Sequence, residues 1–216
     1  MLRVEFHCHS IFSSDSLSEP ADLIATCHDK GIDRLVITDH NSIQGALTAK
    51  ALDPQLIIVG EEIVTKEGGE LLAAYVKEEI PPGLPVKEAI DRLRDQEAFI
   101  SVSHPFDKSR GKWSLADLLE IAPLVDAIET FNARCFPQLY NRQARIFAEE
   151  TNLLGTAGSD AHALFELGRG AMLLPEFEDA PSLKIAMKDV MFDTKASSPL
   201  VRLTSRYASL RKKLTK

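Results

Sequence analysis

Short apolar runs and longer amphipathic stretches alternate along the chain. Apolar, β-rich runs occur at residues 2–6, 34–37, 56–59, 63–65, 71–76, 99–102, 127–131, 154–157 and 170–174. Between them, residues 19–30, 43–51, 86–96, 115–121, 138–151 and 182–188 carry apolar side chains at helical spacing. Ser18 and Pro20 suit the start of the first helix and Gly31 its end. Residues 66–70, with Gly68-Gly69 at their centre, read as a hairpin turn. Strand followed by helix, about seven times over, predicts a parallel sheet. Chemistry at several strand ends favours closing that sheet into a barrel over a doubly wound open sheet, which offers one crevice at its switch point.

The last twenty residues differ. Leu200, Leu203, Tyr207, Leu210 and Leu214 recur at steps of three and four, which predicts an amphipathic helix over 199–216. Residues 1–196 are therefore read as the barrel, and 197–216 as a basic C-terminal helix packed on it or extending from it. In this reading the leucines face the barrel wall and the basic side chains are solvated; the alternative is that those charges attract the phosphates of a longer substrate.

Five of the six histidines lie in polar clusters that close apolar runs: His7-Cys8-His9, Asp39-His40, His104 before Pro105, and Asp160-Ala161-His162. Glu61-Glu62 ends another such run, and Asp15 follows the first. In a strand, residues i and i+2 share a face, so His7 and His9 point together while Cys8 points away. The apolar run before Glu61-Glu62 puts at least one of these carboxylates inside the barrel. Asp39 is either a ligand or the group that orients a histidine ligand. His28 sits mid-helix and reads as a surface residue. Imidazoles and carboxylates delivered to one rim are the donor set of a multi-metal hydrolytic site, and the mixture fits zinc, manganese or iron better than calcium or magnesium alone.

Composition sets outer limits. The chain has 216 residues, 44% hydrophobic and 26% charged, which suits one globular domain or two small ones. Three cysteines without CxxC spacing point to a reducing compartment. No signal-peptide pattern opens the sequence and no apolar run approaches the ~20 residues of a membrane span, so a cytoplasmic protein is expected. The net charge of −7 argues against a stable nucleic-acid complex. Six Lys/Arg and no acid lie beyond residue 196, leaving 19 basic and 32 acidic side chains, or −13, on the rest.

The order HxH, Thr-Asp-His, Gly-x-Glu, Ser-His-Pro and Gly-Ser-Asp-x-His resembles the polymerase and histidinol phosphatase (PHP) superfamily, and within it the small stand-alone phosphoesterases. The resemblance runs from His7 to about Leu174. It implies a distorted (β/α)7, TIM-like barrel, a trinuclear metal site of two to three divalent transition-metal ions (Mn, Zn or Fe), and hydrolysis of phosphate esters by metal-activated water. By motif, His7, His9, Glu62 and Asp160 would hold a first ion. Glu62 and His104 would share a second, and Asp15, His40 and His162 would hold a third. The catalytic set is then His7, His9, Glu62, His104, Asp160 and His162. Relatives often have a histidine where this chain has Glu70, which would have to serve as a ligand, and better-known members have a histidine near Asp15. Lys108, Arg110 and Arg134 are the candidates for binding substrate phosphate. The expected substrate is small and phosphorylated: a mono- or diester of a nucleotide or short oligonucleotide. An amidohydrolase-like enzyme would usually add a carbamylated lysine at a strand end; Lys66 and Lys77 lie in or beyond the hairpin. A non-catalytic metal-binding module is the remaining alternative, and the intact clusters argue against it.

Overall fold

The computed structural model describes residues 1–110 and 113–214. Its strands are β1 (Leu2–Cys8), β2 (Arg34–Ile37), β3 (Ile57–Val64), β4 (Glu70–Ala74), β5 (Phe99–Val102), β6 (Ala127–Asn132), β7 (Leu154–Gly158), β8 (Gly170–Leu174) and β9 (Met191–Thr194). The helices are α1 (Pro20–Asp29), α2 (Gln44–Leu52), α3 (Val86–Asp95), α4 (Leu115–Ile121), α5 (Leu139–Thr151), α6 (Ala180–Ala186) and α7 (Arg202–Leu214). The strands form one sheet in the order β7-β6-β5-β4-β3-β2-β1-β8-β9. Beyond β7 the chain returns to β1: Asp160 donates its amide to His7 O at 2.8 Å, and His9 donates to Ala161 O at 2.9 Å. The sheet is thereby a nearly closed barrel.

One apolar cluster takes residues from eight strands, among them Phe6, Val36, Ile58, Leu72, Phe99, Ala127, Ala157 and Met172, and so fills the barrel. A second seals α1 and α2 to the outside through Leu23, Cys27, Ile37 and Ala46. A third seals α3, α4 and α5 through Ile90, Leu93, Leu118, Ile128 and Phe147. Cys8 belongs to the outer cluster, as the alternation predicts. The register of β1 against β2 slips between Glu5 and Cys8, a bulge that allows Phe6 and His7 both to serve the interior.

Helix ends follow local chemistry. Gly31, at φ 63°, stops α1 where a side chain would strain the backbone. The cap of α1 is Glu19 rather than Ser18, and no side chain satisfies its first amides. Ser114 and Asp117 form a reciprocal cap on α4.

Two expectations need correction. The sheet is not parallel throughout: β4 runs antiparallel to β3 and β5, and β8 antiparallel to β1. The short 66–70 turn leaves no length for a crossover helix, so the chain must double back. This reversal brings the first residue of β4, Glu70, to the rim where its parallel neighbours present their last. The second correction concerns α7. Leu200, Leu203, Tyr207, Leu210 and Leu214 are 56–78% exposed, and the helix settles on Val201 and Ala208 instead. It turns its polar side chains inward because the rim below is rich in carboxylates, and the small Ala208 permits close approach. Residues 215–216 of the expected helix lie outside the described residues.

Candidate metal centre

Bulge, strand ends and hairpin reversal together place nine side chains of ligating type at one rim. Glu62 is at the hub. Its Oε1 lies 3.4 Å from His7 Nε2 and 3.3 Å from His104 Nε2; its Oε2 lies 3.4 Å from His9 Nε2 and 3.0 Å from His40 Nδ1. Asp160 Oδ1 is 3.3 Å from His9 Nε2 and 3.7 Å from His7 Nε2. Glu70 is 3.3 Å from His104 Nε2. Asp15 is 2.9 Å from His162 Nε2 and 3.7 Å from His40 Nε2. All nine residues expected as ligands are thus brought together. His28 is apart on the surface, 3.0 Å from Asp53.

Backbone geometry serves this convergence. Asp160 is held at φ 53° and Asn41, beside His40, at φ 52°, a region most side chains avoid. Gly158 lets β7 approach β1: a Cβ there would lie 2.3 Å from His7 Cβ.

Residues beyond the nine hold the imidazoles in place, one that no motif announced and one, Asp39, in the orienting role expected as an alternative to ligation. Glu129, inside β6, lies 2.9 Å from His7 Nδ1 and accepts from the His104 amide at 2.8 Å. The signal for it was the one charged side chain in β6. Asp39 acts one step further out: it accepts from Ser13 Oγ at 2.6 Å, and that hydroxyl lies 3.1 Å from His9 Nδ1. Glu61 faces away from Glu62 and accepts from the Ile80 amide at 3.0 Å.

Charge in the cluster is strongly coupled. Burial opposes protonation of His7, but Glu62 and Glu129 outweigh it and raise its pKa to about 9. Burial lowers that of His162 to about 4, against the pull of Asp15. Burial also pushes the Glu62 carboxyl upward, yet His7 and His40 bring it well below the usual range.

The donor set fits divalent cations. Three overlapping groups, His7-His9-Glu62, His9-His40-His162 and His40-Glu62-Glu70, each bring their donor atoms within 4.8 Å of one another. Glu62 Oε2 and Asp15 Oδ1 are buried and accept no hydrogen bond. Nε2 of His7 and His9 face each other at 3.2 Å. Ring nitrogens and carboxylate oxygens aimed at one another in this way suit a shared cation, which would take the place of the ring protons.

The cluster floors a cavity of about 420 Å³ whose other wall is basic: Arg110, Arg134, Arg202 and Arg206. Arg110 pairs with Asp160 and Asp107 and reaches Asn132 at 3.0 Å. Arg134 pairs with Glu166 at 3.0 Å. Lys108 is exposed and does not line this cavity. Arg202 and Arg206 come from α7, which the amphipathic pattern had turned the other way. No helix among the described residues is long and apolar enough to cross a membrane.

Comparison with known proteins agrees with the geometry. A family model described as PHP domain matches residues 5–78, and one described as PHP-associated matches residues 138–186. An uncharacterized protein of Methanocaldococcus jannaschii is 35% identical over 179 residues, covering 81% of this chain and 71% of the relative. Among solved structures, a two-domain protein from Bacteroides vulgatus, described as containing a predicted PHP-like metal-dependent phosphoesterase, superposes with a TM-score of 0.75 at 20% identity. That match covers 89% of this chain, which spans 64% of the two-domain protein. A lesion-specific endonuclease from Pyrococcus furiosus superposes with a TM-score of 0.66 at 14% identity, covering 92% of this chain and 59% of that one. With its HxH, Gly-x-Glu, Ser-His-Pro and Asp-x-His residues gathered around Glu62 on a nearly closed barrel, the chain belongs to the PHP family.

Proposed function

We propose that this protein is a metal-dependent phosphoesterase that hydrolyses a mono- or diester of a nucleotide or short oligonucleotide. The observation that carries this reading is Glu62, in reach of four imidazoles from the ends of three strands, on the floor of a cavity walled by arginines. His7, His9, Glu62 and Asp160 would hold one ion; Glu62, His104 and Glu70 a second; Asp15, His40 and His162 a third. Bound divalent cations supply Lewis acidity and lower the pKa of coordinated water towards ~7.

The chain's own residues account for the rest. Glu129 and the Asp39–Ser13 relay fix the imidazole planes, so that the donor atoms keep their aim. Arg110 and Arg134, braced by carboxylates, offer oriented donors to the non-bridging oxygens of a phosphate. Burial of the cluster excludes bulk water and strengthens each of these interactions. The similarity to a lesion-specific endonuclease supports a nucleic-acid-derived substrate.

The test is a screen of manganese- or zinc-reconstituted protein against p-nitrophenyl phosphate and bis-p-nitrophenyl phosphate. Hydrolysis of at least one is expected, with loss of orders of magnitude in His104→Ala and Asp160→Asn. A metal-loaded wild type inert towards both would overturn the proposal.

A further inference from the structure

The face of α7 turned towards the rim forms a track that leads out of the metal cavity. Arg202, Ser205 and Arg206 line that cavity together with Asp15. Asp15, Ser205 and Arg206 also line the next groove, with Ser209 and Lys213. Ser209 and Lys213 continue into a third groove with Ser14. Positions 202, 205, 206, 209 and 213 share one side of a helix. At 1.5 Å per residue they span roughly 16 Å, the length of about four or five stacked nucleotides at ~3.4 Å each.

The inner arginines are committed to carboxylates: Arg110 to Asp107 and Asp160, Arg134 to Glu166, and Arg202 to Asp107 at 3.2 Å. Among the described residues, neither Arg206 nor Lys213 has a carboxylate partner. The orientation of the helix carries the argument. A basic face with no ligand role would be solvated while the leucines packed; here the leucines are exposed and the basic face lies along the entrance. Lys212 fixes this arrangement by donating to the Ile11 and Ser13 carbonyls of the loop that carries Asp15. On the other flank of α7, an apolar groove lined by Leu164, Phe165, Leu203 and Tyr207 shares His162 with the metal cavity and gives flat bases a surface to lie on.

We propose that Arg206, Ser209 and Lys213 form a second binding site, continuous with the metal cavity, for phosphates that flank the scissile one in a single-stranded oligonucleotide. The proposal rests on the phosphoesterase reading of the cavity. It makes α7 the element that distinguishes an oligonucleotide from a mononucleotide.

The test is fluorescence anisotropy of a labelled, phosphorothioate-linked hexathymidylate with the full manganese-loaded chain at 20–200 mM salt. It compares wild type, Arg206→Ala/Lys213→Ala, each single variant, and Lys188→Ala elsewhere as a control matched in charge to the single variants. Each lost phosphate contact should reduce the slope of log K against log salt by ~0.7. The double variant should therefore lose ~1.4 of the wild-type slope and bind at least ~10-fold more weakly at low salt, with the control unchanged. Equal slopes and affinities in wild type and double variant would overturn the track, as would salt-independent binding by wild type. Parallel p-nitrophenyl phosphate and bis-p-nitrophenyl phosphate assays separate the two ideas. A wild type inert towards both overturns the phosphoesterase reading. An active wild type with no binding defect in the double variant overturns the track alone.

Discussion

Adjacent carboxylates inside β3, which runs on through Val64 instead of stopping at Glu62, have opposite fates. Glu62 is surrounded by imidazoles, while Glu61 is buried with one hydrogen bond from Ile80 and one oxygen without a donor. Burial raises the pKa of Glu61 to about 8. An acid whose folded pKa lies above its unfolded value of ~4.3 favours the folded state most at pH below that value. That contribution is lost as pH rises towards about 8. Glu61→Gln keeps an acceptor for Ile80 without the charge, so it should raise Tm by a few degrees at pH 9 and change it little at pH 5. Equal shifts at both pH values would show that Glu61 is not held protonated. Glu129→Gln tests the acid that the sequence did not announce: metal affinity, read by competition with a chelating dye, should fall ~10–100-fold with the fold intact. His7, His9, His40, His104, Asp160 and His162 were legible in sequence because they interrupt apolar runs at the positions where strands stop. Glu129 was not, because it lies within a strand, and a single inward acid carries no spacing. Arg206 was hidden by a pattern that pointed the other way.

At the scale of elements, the sequence shows where strands and helices lie better than how they face. Most of the expected segments reappear within a residue or two, since periodicity of two or 3.6 is a local property. Strand direction depends on the connection: the hairpin turn at 66–70 marked the reversal of β4, while the pattern gave no sign that β8 runs antiparallel to β1. The strand β9 escaped because its four residues are all exposed and show no alternation. The α7 stripe shows the limit most clearly: spacing identified the helix, but the acidic rim decided which face it buries. The consequence is measurable. Leu210→Ser should change stability by less than ~0.5 kcal/mol, as exposed positions do. A leucine packed on the barrel would cost about 2–5 kcal/mol on truncation. Phe6→Ala, inside the barrel against Phe99, should cost about 3–5 kcal/mol in the same denaturant titration. A large loss at Leu210 would mean that α7 packs through its leucines in solution.

Over the whole molecule, charge explains why barrel, helix and metals belong together. Residues 1–196 carry −13, and many of the acids that face one another lie at the rim. The basic helix across that rim offsets part of this charge from above, and cations bound among the ligands would offset it from within. Any ligand that binds only the folded chain stabilises it, by ~2.7 kcal/mol at one hundred times its Kd. In a chain of this size each kcal/mol is worth about 2–4 °C, so a saturated site should raise Tm by roughly 5–10 °C, and chelator should remove the gain. The gain must depend on pH. With its pKa raised to about 9, His7 is protonated at neutral pH and has to surrender that proton to bind a metal. His162, lowered to about 4, is already neutral there and adds nothing to this dependence. The manganese-induced shift in Tm should therefore grow from pH 6 to pH 8.5 at fixed free metal. His40, whose pKa burial would lower but Glu62 and Asp15 hold well above the usual imidazole range, must give up its proton as well. Calorimetry at pH 7 in buffers of different ionisation enthalpy should therefore register about two protons released on binding, and one fewer in His7→Ala. Equal proton release by wild type and His7→Ala would mean that His7 holds no metal, and the ligand set around Glu62 would have to be redrawn without it.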